Sequence, residues 1–394
     1  MSPNWIDALG RDLDAALRVR AAQAPDAAVF YCGRALERAA TELRRANDAS
    51  TANSTFANLV RLRQLGLLAH PDEGMLHTLR RLSNDARHLL RPLTDADAGV
   101  ALAFSDRLLC WVSRHEPLAS GVQLGVRAVD PVVAALHDPE PVSRLLALWE
   151  TDALLFRTTP AAAALLVEHL DAANAFERAS AVLAEAFTRF GDDLRLLQLK
   201  GLVHRHLGDD AGAEVALRHA LELAPDDPET HGILGGLHKE RWRVALRAGA
   251  TRRARGHASR ALDHYRKGWK AGKGADTYPG INTATLALIL DDRALASRTA
   301  NTIIAGYEAR PLLDGQARYA DYWDQVTLAE ALLVRNSGDD ARRARRLLRS
   351  ALRGVAAVKP RWASATLAQM ETLLRIQGYE GGAEAFLADD VPGG

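Results

Sequence analysis

Residues 194–227 read LRLLQLKGLVHRHLGDDAGAEVALRHALELAPDD, and this stretch decides the fold. With Leu194 as position 1 of a 34-residue unit, Leu197 stands at 4, Gly201 at 8, Gly208 at 15, Ala213 at 20, Leu217 at 24, Ala220 at 27 and Pro225 at 32. Apolar residues at helical spacing on either side of a glycine break predict two helices joined by a tight turn. Small residues at 8, 20 and 27 let those helices approach closely, large apolar ones fill the seam, and the proline stops the second helix.

The unit repeats in both directions. One period back, Ala163, Leu166, Ala179, Leu183 and Ala186 fall at 4, 7, 20, 24 and 27, which makes residues 160–193 a preceding repeat. One period forward, His231, Leu234, Gly235 and His238 fall at 4, 7, 8 and 11 before the register breaks. It resumes with Ala261, Tyr265 and Gly268 at 20, 24 and 27, so about 14 residues are inserted around Arg243 to His257, in lengthened helices or a loop. A further repeat fits Leu328, Ala331, Ala344, Leu348 and Ala351, and degenerate helices cover Pro279 to Ala309 and Lys359 to Leu387. Five or six hairpins are expected. The pattern resembles the tetratricopeptide repeat, which implies a scaffold that holds another molecule.

The fold class is therefore all-α: an N-terminal helical bundle followed by a tetratricopeptide-type helical-hairpin solenoid, with no sustained period-two alternation of β-branched and aromatic residues. Residues 1–116 lack the 34-residue period and read as a bundle with helices near 4–22, 26–47, 54–66, 72–91 and 95–114. Residues 117–159 form a helical linker, and 160–392 the solenoid.

Composition narrows the function classes. The 394 residues are 48% hydrophobic and 25% charged, so the chain folds rather than staying disordered. Fifty basic residues against 49 acidic ones leave +1, which gives no whole-molecule pull toward nucleic acid or membrane. Cys32 and Cys110 stand far apart in apolar helical patterns, read as small core residues, and argue against a disulfide or thiolate metal site. Asp7, Arg11 and Asp12 interrupt any secretory signal, and no run of about 18 apolar residues occurs, so a cytoplasmic protein is expected. Six lysines beside 44 arginines look like a GC-rich genomic bias, which discounts every arginine cluster.

Four ordered blocks carry a second likeness: His238-Lys239-Glu240-Arg241-Trp242, Tyr265-Arg266-Lys267-Gly268-Trp269, Tyr278-Pro279-Gly280-Ile281-Asn282 with Thr285, and Asp321-Tyr322-Trp323-Asp324 with Thr327 and Glu330. The segment of about 230–355 that contains them resembles the TRAF-binding regulatory region of the apoptosis-signal-regulating kinases, which has bacterial relatives. That resemblance implies a regulatory or sensor scaffold within bacterial stress or anti-phage defence, able to take a nucleotide-like signal. The chain has no glycine-rich ATP loop, H-R-D or D-F-G motif, so a kinase output is not expected from it. Tyr31, Arg34, Leu36, Glu37, Leu65-Gly66-Leu67-Leu68, Leu79-Arg80-Arg81-Leu82-Ser83-Asn84, Ala86, His88 and Trp111 resemble a helical domain of unknown function, itself similar to HEPN-type bundles. Ser83 stands where that family usually has glycine.

Two sets of candidate residues follow. The HEPN likeness implies that Arg81, Asn84 and His88 serve ribonuclease chemistry, with the histidine moving a proton and the arginine stabilising phosphorane charge. The plainer reading is that Asn84 and His88, one turn apart, hydrogen-bond a neighbouring helix. For ligand or partner binding the candidates are Lys239, Arg241, Trp242, Lys267, Tyr278, Asn282, Thr285, Trp323, Asp324 and Thr327. Pro279, Gly280 and Asn282 read as a loop-to-helix turn with Asn282 as cap. The helix start they make is a natural anion site if lysine and arginine converge on it and an aromatic supplies a stacking face.

Asp321, Asp324 and Glu330 lack histidine or cysteine at ligand spacing and read as solvent-facing carboxylates rather than metal ligands. Arg342, Arg345, Arg346, Arg349 and Arg353 form one stripe opposite Ala344, Leu347, Leu348, Ala351 and Leu352, read as a solvated face with an acidic partner or phosphate backbone as the alternative. The expectation is thus a non-enzymatic regulatory scaffold without cofactor or metal, with a protein partner, a nucleotide-like small molecule as second ligand and no membrane. A ribonuclease controlled by the solenoid and a nucleic-acid-binding regulator are the alternatives, and the N-terminal bundle is a candidate homodimer surface.

Overall fold

Aspartates set the starts of the hairpin helices. Asp193, Asp209, Asp227, Asp276 and Asp292 each accept backbone N–H groups with the side chain at an N-cap, satisfying donors that a helix cannot pair internally. The computed structural model describes residues 4–47, 54–68, 70–88, 92–116, 131–135, 141–274, 276–309, 322–355, 360–379 and 381–388. Among them no strand occurs, and no helix is long and apolar enough to cross a membrane.

The helices are α1 (Asn4–Ala21), α2 (Pro25–Asn47), α3 (Thr55–Gln64), α4 (His70–His88), α5 (Asp95–His115), α6 (Pro131–Ala135), α7 (Pro141–Glu150), α8 (Leu154–Thr158), α9 (Pro160–Ala172) and α10 (Phe176–Phe190). They continue with α11 (Leu194–His206), α12 (Asp210–Leu223), α13 (Pro228–Arg247), α14 (Thr251–Ala271), α15 (Thr277–Ile289), α16 (Arg293–Glu308), α17 (Tyr322–Arg335), α18 (Asp340–Val355), α19 (Pro360–Ile376) and α20 (Gly382–Ala388). By compactness the chain divides into two units, residues 1–225 and 226–394.

In the first unit α2 is the central helix, packed by α1, α3, α4 and α5. Gly33 makes its contact with α4 feasible: a Cβ there would stand 1.8 Å from Ser83 Oγ. Ser83 is accommodated by a glycine on the opposing helix. Buried Asp12 receives Arg34 and Arg38, and buried Asp72 receives Arg107 and Arg114, so each enclosed carboxylate is compensated by two guanidinium groups. Thr94 and Asp97 form a capping box at α5, and Thr159 Oγ1 donates to Asp97 Oδ1 at 2.8 Å. One apolar cluster runs from Trp5 through Val203 and takes in α9 to α11.

Cysteine burial departs from expectation. Cys32 is buried in α2, but Cys110 is exposed on α5, because the chain there turns Trp111 and not its neighbour inward.

The second unit holds the hairpins α13–α14, α15–α16, α17–α18 and α19–α20, and α9–α10 and α11–α12 of the first unit bring the described hairpins to six. The inserted residues lengthen both helices of α13–α14, and a short turn around Gly249 (φ 68°) joins them.

Close approach recurs inside the hairpins. A Cβ on Gly201 would lie 2.5 Å from Leu217 Cγ, and one on Gly235 would lie 2.8 Å from the Tyr265 ring. Gly201→Ala is expected to destabilise by about 1–3 kcal/mol through overpacking. Gly232→Ala, where a Cβ meets nothing within 4 Å, is expected to be neutral or stabilising. Urea midpoints of the two variants measure the difference.

Candidate functional site

Three successive first helices carry one pattern of side chains. On α15 it is Tyr278, Asn282 and Thr285; on α17, Trp323, Thr327 and Glu330; on α19, Trp362, Thr366 and Gln369. The i, i+4, i+7 spacing sets each triplet along one helix face. An aromatic is followed by a hydroxyl or amide, then by a hydroxyl, acid or amide. Lys239 and Arg243, one turn apart, supply the corresponding edge of α13.

The inner members bond across all four helices. Lys239 Nζ donates to Asn282 Oδ1, and Asn282 Nδ2 donates to the Tyr278 carbonyl at 2.9 Å. Thr285 Oγ1 and Gln369 Nε2 both donate to Glu330 Oε1, at 2.6 and 2.7 Å. Arg243 Nη2 donates to Gln369 Oε1 at 3.0 Å. Because Lys239 and Arg243 share α13, these bonds close a ring through α13, α15, α17 and α19.

Asn282, Thr285, Thr366 and Glu330 are buried, and Lys239 is half-buried. Burial pushes the Lys239 ammonium down to about 8, against the attraction of Glu330, which raises it, and with Arg243 repelling it further.

The outer members are aromatic and wetter. Trp323 is 42% exposed, and Tyr278 is 53% exposed with its hydroxyl 3.1 Å from that of Tyr265. Tyr322, Trp323 and Trp362 form one cluster with ring centroids 4.9, 5.0 and 5.7 Å apart, and Tyr322 bonds Thr366 at 2.6 Å. The face therefore offers an aromatic rim of mutually tilted rings above a polar floor, the combination that suits a ligand with an aromatic part and hydrogen-bonding groups.

Behind this face, four histidines share the seam of α13 and α14. His231 Nδ1 lies 3.1 Å from His264 Nδ1, and the His238 ring stacks on His264 and His257 at 5.6 and 6.0 Å. The close nitrogen pair needs one donor and one acceptor, so one of the two rings holds the contact as the neutral acceptor.

Not all the sequence candidates meet here. Lys239, Tyr278, Asn282 and Thr285 do, with Trp323 and Thr327 on the adjoining stripe. Trp242 is core, packed with Tyr265 and Leu286. Arg241 lies two residues from Lys239, which turns it well away around the helix. Lys267 pairs with Asp263 at 2.9 Å on the outer side of α14.

Asp324 is buried and accepts from Tyr307 OH at 3.0 Å, and Glu330 is buried in the ring. The solvent-facing reading of these two carboxylates is corrected, because tyrosine, threonine and glutamine on neighbouring helices satisfy them. Asp321 lies outside the described residues.

Asn282 is not a cap. Asp276 caps α15 by accepting from Tyr278 N at 3.0 Å, so the helix start already holds a carboxylate and the anion-site reading of that turn falls. Gly280 serves close packing, since a Cβ would lie 2.4 Å from the Trp269 ring.

In the N-terminal unit, Arg81 donates to Thr78 Oγ1 at 2.8 Å and pairs with Glu168 at 3.4 Å, an acid that also takes Arg195 at 2.7 Å. Asn84 is half-buried on the same helix, and the His88 side chain lies outside the described residues.

Arg243, Tyr322, Trp362, Thr366 and Gln369 belong to the face and were not singled out as binding residues from sequence. The repeated aromatic-x3-hydroxyl-or-amide-x2-polar spacing is the signal that finds Trp362, Thr366 and Gln369; Arg243 and Tyr322 lie outside that pattern.

Residues 167–287 are similar to the Tetratricopeptide Repeats-Sensor family, and residues 14–124 to a family described as a domain of unknown function, DUF4145. No curated protein matches the chain. Among solved structures, a human IFIT1 dimer with m7Gppp-AAAA is 13% identical over 98% of this chain and 95% of that one, with a TM-score of 0.41. Yeast Tom70 is 10% identical over 97% and 87% at 0.42, and PilW, a type IV pilus biogenesis factor, is 13% identical over 58% and 90% at 0.38. At these identities and scores the likenesses assign neither ligand nor partner to this chain. The family match and the 34-residue register together support a tetratricopeptide-repeat protein, a protein-interaction or sensor scaffold in class.

A pH prediction follows from Lys239. Its folded value near 8 lies below the ordinary 10.5, so between those limits the unfolded chain binds more protons and stability rises with pH through this group. Below about 8 both states are protonated and the burial cost is fully present. Lys239→Met is expected to remove the rise between pH 8 and 10, measured by urea unfolding of both proteins across that range.

Proposed function

We propose that the chain is a non-enzymatic regulatory scaffold that captures a partner or small signal on the first-helix face of α13, α15, α17 and α19. The observation that carries this reading is the closed polar ring of Lys239, Asn282, Thr285, Glu330, Gln369 and Arg243 beneath an exposed aromatic rim. Repeat packing alone asks for small and apolar residues at a helix interface. Charged and amide groups there cost stability relative to an apolar seam, which makes recognition the better account.

The occupant that fits is a molecule with a flat apolar part for Trp323 and Trp362 and polar groups that exchange with the ring. A nucleotide-like signal or an aromatic-bearing peptide segment meets that description. The likeness to kinase regulatory regions supports a relay to a separate effector, and a setting in bacterial stress or anti-phage defence. The N-terminal bundle is the coupling element in this reading, and self-association through it is one route for the relay.

Native mass spectrometry of the protein purified from its own host tests the proposal. Wild type is expected to carry a bound species or partner that Trp323→Ala and Glu330→Gln lose, while Trp323→Ala keeps its melting temperature within a few degrees. Retention of the same species by both variants would sink the assignment to this face.

A further inference from the structure

The arginine stripe of α18 is not one uniform surface. That helix carries six arginines and one aspartate. Arg345 lies 4.8 Å from the Phe386 ring centroid, and Arg349 Nε donates to the Leu387 carbonyl at 2.6 Å, so these two hold α20 in place. Arg342 and Arg346 approach Asp339 at 3.2 and 3.8 Å, and Arg343 pairs with Glu308 at 2.7 Å. The solvated-face expectation thus holds for part of the stripe only.

Arg346, Arg349 and Arg353 line a groove of about 690 Å³ together with Leu352 and Leu387. We propose that this groove binds a small phosphate-bearing anion. Arginine abundance carries no weight here, given the composition of the chain; the convergence on one concavity does.

Three features favour phosphate. The described lining residues include three arginines and no acidic residue. Guanidinium forks match phosphate oxygens two at a time, and the leucines lower the local dielectric, which strengthens those bonds. The three arginines span seven residues of helix, about 10.5 Å along the axis, so they reach the oxygens of one compact anion. An acidic peptide spreads its carboxylates along a chain and would use little of this wall. The volume is also that of a small-molecule cleft.

Calorimetry with inorganic tripolyphosphate tests the site on the full chain. Wild type is expected to bind saturably, and Arg346→Gln with Arg353→Gln to weaken binding at least tenfold. Arg346 pairs with Asp339 and Arg353 donates to the Arg349 carbonyl, while Arg345 and Arg349 hold α20, so its docking and the helicity of the chain stay intact, which circular dichroism verifies. Arg349→Gln is expected to weaken binding further and to loosen α20.

Single-stranded RNA separates the sources of phosphate. Displacement of tripolyphosphate by RNA, with the same arginine dependence, identifies the ligand as a nucleic-acid backbone; failure to displace it identifies a free anion. The proposal is overturned by absent saturable binding, by a double variant that binds like wild type, or by polyglutamate binding as tightly as tripolyphosphate. None of these outcomes bears on the α13–α19 face, whose variants leave these arginines unchanged.

Discussion

Close approach between the two helices of a hairpin is the constraint on which the rest depends. Where Gly201 faces Leu217 and Gly235 faces Tyr265 within a hairpin, and where Gly280 faces Trp269 between one hairpin and the next, a side chain on the glycine would collide with the large partner. That pairing of a missing Cβ with a bulky group fixes both the separation and the rotation of the helices. Rotation in turn decides which face each first helix leaves for its neighbours, and so where Tyr278, Trp323 and Trp362 emerge.

On that face the structure accepts an energetic cost. Glu330 is withdrawn from water and held by two neutral donors, while Lys239 loses enough hydration to fall to about 8. Removing one member of such a network leaves a buried group without its partner, whereas replacing the whole with apolar residues is often neutral or stabilising. The proposed recognition role is what would account for keeping a network that costs stability.

The hairpins were legible in sequence because small residues, large apolar residues and proline each act locally. Residues 194–227 alone gave the register, and the bundle helices were placed within a few residues of their ends. Burial of polar groups was less legible. Asp324 and Glu330 read as surface carboxylates because their partners, Tyr307, Thr285 and Gln369, come from other hairpins. Asn282 read as a cap because the stronger cap, Asp276, stands only a few residues earlier. Lys239 and Asn282 meet in a hydrogen bond, while Arg241 and Lys267, grouped with them on sequence proximity, turn elsewhere.

The central claim is that the ring serves recognition and not folding. Its most direct test is the melting temperature of a chain in which the whole ring is replaced, with Lys239→Met, Arg243→Met, Asn282→Leu, Thr285→Val, Glu330→Leu and Gln369→Leu combined. The account predicts a cooperative transition at or above the wild-type temperature. A fall of several degrees, or loss of cooperative unfolding, would show that the ring holds the fold together and would contradict the account.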